Sequence, residues 1–217
     1  MACWSAENAT KAYLRTMRMG EKAREPNGVE FISALAAGNN AQIMVVACAG
    51  AADSTTLALV VAAQQSHGRI ICILSSKQDH HLSKTTLGIN AGHVEFVNGD
   101  VKNLLINYYK EADFVAIDCN LENYEMIILS IQENARPNNT IVVGYNTFCK
   151  ESWRNSPLCS DLLPIGEGLL LTRIAGKRNS NGPGLKMRGN WIVKVDKCTG
   201  EEHLFRVRCS VGRVTRA

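Results

Sequence analysis

Residues 42–56 read Gln42-Ile43-Met44-Val45-Val46-Ala47-Cys48-Ala49-Gly50-Ala51-Ala52-Asp53-Ser54-Thr55-Thr56. An almost unbroken apolar run gives way to a turn of small residues, then to a helix start that Asp53 and Ser54 can cap. A short, continuously apolar run is how a strand buried on both faces of a parallel sheet reads. Similar β-branched runs recur at 69–74 (RIICIL), 94–97 (VEFV), 113–117 (DFVAI) and 140–145 (TIVVGY). Helix-length segments lie between them, near 53–66, 78–91, 100–111 and 121–135. The last begins at Asn120 or Leu121 and carries Tyr124, Ile127, Ile128 and Ile131 at helical spacing. Alternating strand and helix predicts right-handed βαβ units, hence an α/β, doubly wound, mostly parallel sheet.

Upstream, Thr10–Leu14 and Glu30–Ala37 read as helices, broken around Glu25-Pro26-Asn27-Gly28, and Gly38-Asn39-Asn40 ends the second. Downstream, Leu169–Ile174 reads as a strand and 176–190 as a polar, Gly/Asn-rich loop. Trp191–Asp196 and Glu202–Val207 flank Lys197-Cys198-Thr199-Gly200-Glu201, which predicts a β-hairpin. The expected organisation is one domain, 1–217: N-terminal helices 5–38, a Rossmann-like core 41–175, and a basic loop and hairpin 176–210.

With 217 residues, 46% hydrophobic and 20% charged, the chain can bury a sizeable core, which excludes a disordered class. No run reaches the roughly 20 apolar residues of a membrane span, so no membrane partner is expected. The N-terminus lacks the apolar region of a secretory signal. The 8 cysteines (3, 48, 72, 119, 149, 159, 198, 209) form no CxxC pair. Several sit inside apolar runs, which points to free thiols in a reducing compartment, cytoplasmic or nuclear. Residues 1–150 carry a net −2 and residues 151–217 a net +6. That basic third suits an acidic partner or a solvated surface; no aromatic-interleaved basic motif supports nucleic acid.

In an open parallel sheet, ligands bind outside the carboxyl ends of the strands. After the first strand, Gly50 permits close backbone approach, and Ser54 lies at an anion-favouring helix start; a tight turn without a ligand is the alternative. The turn is neither GxGxxG nor a P-loop, which with the missing ribose acid disfavours a nicotinamide-dependent dehydrogenase. Ser75-Ser76 follows the second strand, where an adenosyl site usually has a carboxylate. Asp100, after the third, either accepts from an adenine amino group or caps the next helix. Asp118, ending the fourth, is the best single candidate, with capping again the alternative. Asn146 follows the fifth strand and opens into the same crevice. His80-His81, His93 and His203 read as solvated or structural, and no nucleophile–base set can be assembled from spacing.

Ala112–Asp118 with Asn123-Tyr124 resembles the DFxFxDxxKxxY stretch of cation-dependent O-methyltransferases of the caffeoyl-CoA type. Val143–Phe148 resembles their GxIxYDNTLW, and Leu163–Leu169 their LPxGDG. A second resemblance covers almost the whole chain. Trp4-Ser5, Ala9–Tyr13, Phe31–Gly38, Trp191-Ile192 and Gly200–Arg206 are similar to the plant family called domain of unknown function 1442. Together they imply the class I S-adenosylmethionine-dependent methyltransferase fold, strand order 3-2-1-4-5-7-6, and S-adenosylmethionine as cofactor. Gly50, Ser54, Ser75 and Asp100 would hold the cofactor, and Asp118 and Asn146 would lie near a small-molecule acceptor.

The departures are specific. Where such enzymes carry an acid and two glycines at the first strand end, this chain has Val46, Cys48 and Ala52. Tyr145 stands where a second metal-binding Asp belongs, and Asn120 or Leu121 where the catalytic lysine does. One carboxylate and one amide suit a hard divalent cation poorly, so no functional metal is expected. Two readings follow. A methyltransferase needs a cleft open at Gly50 and Asp100. A catalytically inactive binding or scaffold protein, acting through protein partners, would fill that cleft with Cys48, Met44 or Tyr145.

Overall fold

The computed structural model describes residues 4–19, 27–134, 137–149 and 161–176, and the backbone of 189–195 and 202–208. The Glu25-Pro26 break, most of the polar loop (177–188) and the hairpin turn (197–201) lie outside the described residues. The chain divides into two compact units, Met1–Lys177 and Arg178–Ala217.

In the first unit, helices α1 (Ala6–Met19) and α2 (Gly28–Gly38) precede β1 (Ile43–Ala47) and α3 (Ser54–Ser66). There follow β2 (Arg69–Leu74), α4 (Lys77–Leu87), β3 (Val94–Asn98), α5 (Val101–Asn103) and β4 (Phe114–Asp118). Then come α6 (Tyr124–Glu133), β5 (Thr140–Tyr145), β6 (Asp161–Leu163) and β7 (Leu169–Ile174). They build a seven-stranded sheet in the order β3-β2-β1-β4-β5-β7-β6. β1 to β5 pair in parallel, while β7 runs antiparallel to β5 and to β6. This is the doubly wound fold and strand order expected. In the second unit, β8 (Gly189–Val195) and β9 (Glu202–Arg208) pair antiparallel, from Gly189 opposite Arg208 to Val195 opposite Glu202.

Central strands are apolar throughout because helices cover both faces. Met44, Val46, Cys72, Phe114 and Val143 pack with Ile32, Leu35 and Leu59 of α2 and α3. Val45, Ala47, Ile73, Val115 and Ile117 pack with Leu105, Ile127 and Ile131 on the other face. Cys48, Cys72 and Cys119 are free and buried, and Cys149 is free and exposed.

α1 runs well beyond the expected Thr10–Leu14 at both ends, α2 starts two residues before Glu30, and three later helices also differ from expectation. α4 stops at Leu87, where Gly88 takes φ +54, and a 3-10 segment completes the connection. α5 is one short turn that continues as a π-helical turn, closed by the Tyr109 N–H donating to the Leu104 carbonyl at 2.8 Å. α6 begins at Tyr124 rather than Asn120 or Leu121. The Asp118 carboxylate accepts from the Asn120 N–H at 3.0 Å and its carbonyl from the Leu121 N–H at 3.1 Å, a turn that postpones the helix.

The opposite, amino edge is clasped by side chains. Asp113 accepts from the Gln42 and Ile43 N–H groups at 2.9 and 3.1 Å. Gln42 Nε2 donates to the Ser66 carbonyl at 2.8 Å, and Ser66 Oγ to the Ala41 carbonyl at 2.6 Å. Gly68 closes this clasp, and a Cβ there would meet the Ala41 oxygen at 2.5 Å, a backbone atom that cannot swing away. Nothing lies within 4 Å of a Cβ added at Gly50. Gly68→Ala is therefore expected to destabilise by about 1–3 kcal/mol, and Gly50→Ala by less than about 0.5 kcal/mol, measured by urea unfolding.

Candidate functional site

Two groups of residues form at the carboxyl edge. The first joins the ends of β1, β4 and β5. Asp118, 7% exposed, accepts at Oδ1 from the Asn120 N–H and from Asn146 Nδ2, both at 3.0 Å. Its Oδ2 faces the Ala49 N–H at 3.4 Å. Asn146 sits just beyond β5 at φ +58, a left-handed conformation that asparagine tolerates well. Asp118, Asn146 and the Ala49-Gly50 turn thus share one corner, as expected for two of them as a pair.

The second group lies at the ends of β2 and β3. Ser75, Gly99, Asp100, Val101, Leu121 and Asn123 line a cleft of about 300 Å³. Ser75 and Asp100 are two of the four residues the sequence offers for the cofactor; Leu121 and Asn123 join them in the lining because the chain turns there before α6 begins at Tyr124. Asp100 caps α5, its Oδ1 accepting from the Asn103 N–H at 2.7 Å. Gly50 and Ser54 are not among the lining residues. Ser54 is exposed at the first residue of α3, whose cap is Asp53.

Between these groups the chain uses its own polar atoms. Asp53 Oδ1 accepts from the Thr55 and Thr56 N–H groups at 2.9 and 3.3 Å. The Ala52 N–H donates to Ser83 Oγ at 2.8 Å, and the Cys48 N–H to the Ile73 carbonyl at 3.2 Å. Several donors that would otherwise receive an anionic group, the Ala52, Thr55 and Thr56 N–H groups among them, are thus already engaged. Val46, Cys48 and Ala52 are all buried in the α3-facing core.

Beneath the turn, Tyr145 (3% exposed) points its hydroxyl at Cys48 Sγ, 3.9 Å away. Cys48 Sγ lies 3.8 Å from both Cys72 Sγ and Thr56 Oγ1. Burial first, then the neighbouring Cys48, Asp53 and Asp118, pushes the Tyr145 phenol far up, so it stays protonated. The hydrogen bond with Cys48 and then burial likewise hold the Cys72 thiol up. Among the described residues, no three His, Cys, Asp or Glu side chains gather to hold a metal ion.

The family model for "Protein of unknown function (DUF1442)" matches residues 1–207. The chain belongs to this family. Its fold is also that of solved methyltransferases. A methyltransferase from Geobacter sulfurreducens superposes with a TM-score of 0.55 at 17% identity, over 78% of this chain and 91% of that one. The SAH-bound methyltransferase PaMTH1 of Podospora anserina gives 0.55 at 13% identity, over 81% and 91%. The O-methyltransferase TomG of Streptomyces achromogenes, in complex with SAM, gives 0.54 at 15%, over 82% and 93%. At these identities the likeness establishes the fold. No curated protein matches the chain.

Asp53 is the residue whose chemistry the sequence understated. Burial pushes its carboxyl above the usual range; the two N–H bonds pull it down, and the Asp118 charge adds to the rise. Between about pH 3.9, the unfolded value, and the raised native value, the native state binds more protons than the unfolded one. The Asp53 contribution to stability therefore falls as pH rises through that window. Asp53→Asn keeps the cap and removes the charge, so its stability relative to wild type should be higher at pH 7 than at pH 4. Asp53→Ala should lose about 1 kcal/mol of capping. Urea unfolding of the three proteins at both pH values tests this, and an Asn advantage that grows on acidification contradicts it.

Proposed function

We propose that the chain is an S-adenosylmethionine-dependent methyltransferase acting on a small-molecule acceptor, with a weakened grip on its cofactor. The carrying observation is the 300 Å³ cleft at the ends of β2 and β3. Its volume is at the lower end of small-molecule sites and suits a nucleoside-sized group. Its lining offers a hydroxyl at Ser75 and a carboxylate at Asp100. The adenosyl half fits these residues: Ser75 would meet the ribose, and Asp100, with one oxygen holding its cap, would offer the other to the adenine amino group. Gly50 and Ser54 would border the amino-acid half, Gly50 through the open space over its Cα.

When bound, the cofactor supplies an electrophilic methyl group on a sulfonium sulfur. The protein's part is alignment, which can supply much of the acceleration of a two-reactant step. Asp118 fixes the Asn146 amide through the 3.0 Å bond, leaving the amide carbonyl to receive an acceptor hydroxyl. The buried Cys48, Cys72 and Cys119 thiols fit a reducing compartment, cytosol or nucleus.

One observation favours the other reading, a methyltransferase-fold binding protein without catalysis. Cys48, Met44 and Tyr145 are all buried, and the Tyr145 hydroxyl meets Cys48 below the turn. Calorimetric titration of the purified full chain with S-adenosylmethionine and S-adenosylhomocysteine separates the two. Micromolar binding is expected, weakened by about 10-fold or more (about 1.4 kcal/mol) in Gly50→Leu and Asp100→Ala. Asp100→Asn preserves the helix cap and shows whether the charge itself matters. No heat at millimolar ligand overturns the enzyme reading and leaves the binding protein.

A further inference from the structure

A groove lies about 17 Å along α3 from Ser54, at the Gln65 end of the helix. Lys11, Leu14, Arg15 and Arg18 of α1 line it with Gln65, enclosing about 400 Å³. The α1 residues follow the i, i+3, i+4, i+7 spacing, so they form a single stripe along the helix. The opposite face of α1 is the packed one: Ala9, Ala12 and Thr16 are buried, and Thr16 Oγ1 hydrogen-bonds Ser33 Oγ of α2 at 2.9 Å. What remains outside combines cations with partly exposed apolar side chains. Leu14, Met17 and Met19 are 42%, 37% and 42% exposed, and at 100° per residue the two methionines flank the stripe on either side.

The chemistry of this face is specific. Lys11 pairs with Glu7 at 2.5 Å, one turn earlier on the helix. Arg15 and Arg18 form no ion pair with described residues, and no carboxylate is among the lining residues. Arginine and methionine are enriched in protein–protein contact surfaces, where glutamate and lysine are depleted. Arginine offers a planar fork that matches carboxylates, and methionine packs adaptably against varied apolar groups.

We propose that this α1 face docks a short acidic segment of a partner protein. An apolar side chain would seat against Leu14 in the groove, with flanking carboxylates on Arg15 and Arg18. A nucleic-acid backbone would satisfy the arginines but leave Leu14, Met17 and Met19 in water, so the peptide is the better complement. The surface is independent of the cofactor reading.

The test uses the full chain and three fluorescein-labelled probes, read by anisotropy. They are a 14-residue helical peptide of Glu and Leu, its Gln-for-Glu counterpart, and a 14-nucleotide oligothymidylate. Saturable, salt-sensitive binding of the Glu/Leu peptide is expected, with the Gln/Leu peptide weaker by about 10-fold. The Arg15→Gln/Arg18→Gln double variant should lose a similar factor, and Leu14→Asp should also weaken binding, both with unchanged thermal unfolding. Equal binding of the Glu/Leu peptide by wild type and double variant, or none at near-millimolar protein, overturns the proposal. Tighter, arginine-dependent binding of oligothymidylate also overturns it and assigns the face to nucleic acid.

Discussion

Burial of β1 on both faces is the constraint on which the rest of the molecule depends. Met44, Val45, Val46 and Ala47 are fully buried, with β2 on one side, β4 on the other, and helices above and below. Such a strand has no solvated face on which to place polar side chains. Polar chemistry is therefore displaced to its two ends, where the chain turns. At the amino end, Gln42, Asp113 and Ser66 consume their hydrogen bonds in holding the register. At the carboxyl end, Asp53, Asp118 and Asn146 lie around a turn of small residues, with open space over Gly50.

The strands were legible because their signal is one of composition. A β-branched, continuously apolar run can be read without knowing its neighbours; the observed limits of β1–β5 and β7 differ from the reading by at most one residue at either end, while β8 starts two residues before it. Helix starts were legible only where the cap is local. Asp53 bonds the N–H groups two and three residues onward and starts α3 where it was read. The capping box of Asn27 with Glu30 starts α2 at Gly28, two residues before the reading from Glu30. The start of α6 turns on Asp118, which ties the Asn120 and Leu121 N–H groups into a turn while its carboxylate is also held by Asn146 and Ala49, 28 and 69 residues away in sequence. The remote half of that arrangement lies in no local window. β6 was missed for a similar reason: its three residues become a strand only by pairing with β7. The nearness of Trp4 to Gly38, both among the residues that carry the family resemblance, is likewise a matter of packing, since a Cβ on Gly38 would overlap the indole ring.

The site was legible in its residue types and not in its partition. Asp118 and Asn146 read as neighbours because they end adjacent strands, and Asp118 is paired in register with Tyr145. Tyr145 is one of three residues, with Cys48 and Met44, that the sequence offers for filling the cleft, and all three are buried. Last in β5 and opposite Asp118 in register, its side chain enters the α3-facing core and reaches Cys48. A phenol has a large apolar body, so a tyrosine at this position serves packing.

The same logic accounts for the unequal state of the two halves of the carboxyl edge. At the end of β1, the positions where similar enzymes carry an acid and glycines hold Val46, Cys48 and Ala52, all buried in one apolar cluster. Each substitution adds core contact and removes either charge or backbone access. At the ends of β2 and β3, the polar Ser75, Asp100 and Asn123 line a cleft together with Gly99, Val101 and Leu121. Apolar burial at the first location stabilises the fold by about 25 cal/mol per Å² wherever it occurs, whereas an open cleft contributes nothing to stability. The proposed nucleoside-sized ligand would therefore be held mainly at the ends of β2 and β3, where a hydroxyl and a carboxylate line the cleft, and less at the turn, where the Ala52, Thr55 and Thr56 N–H groups are already engaged within the chain.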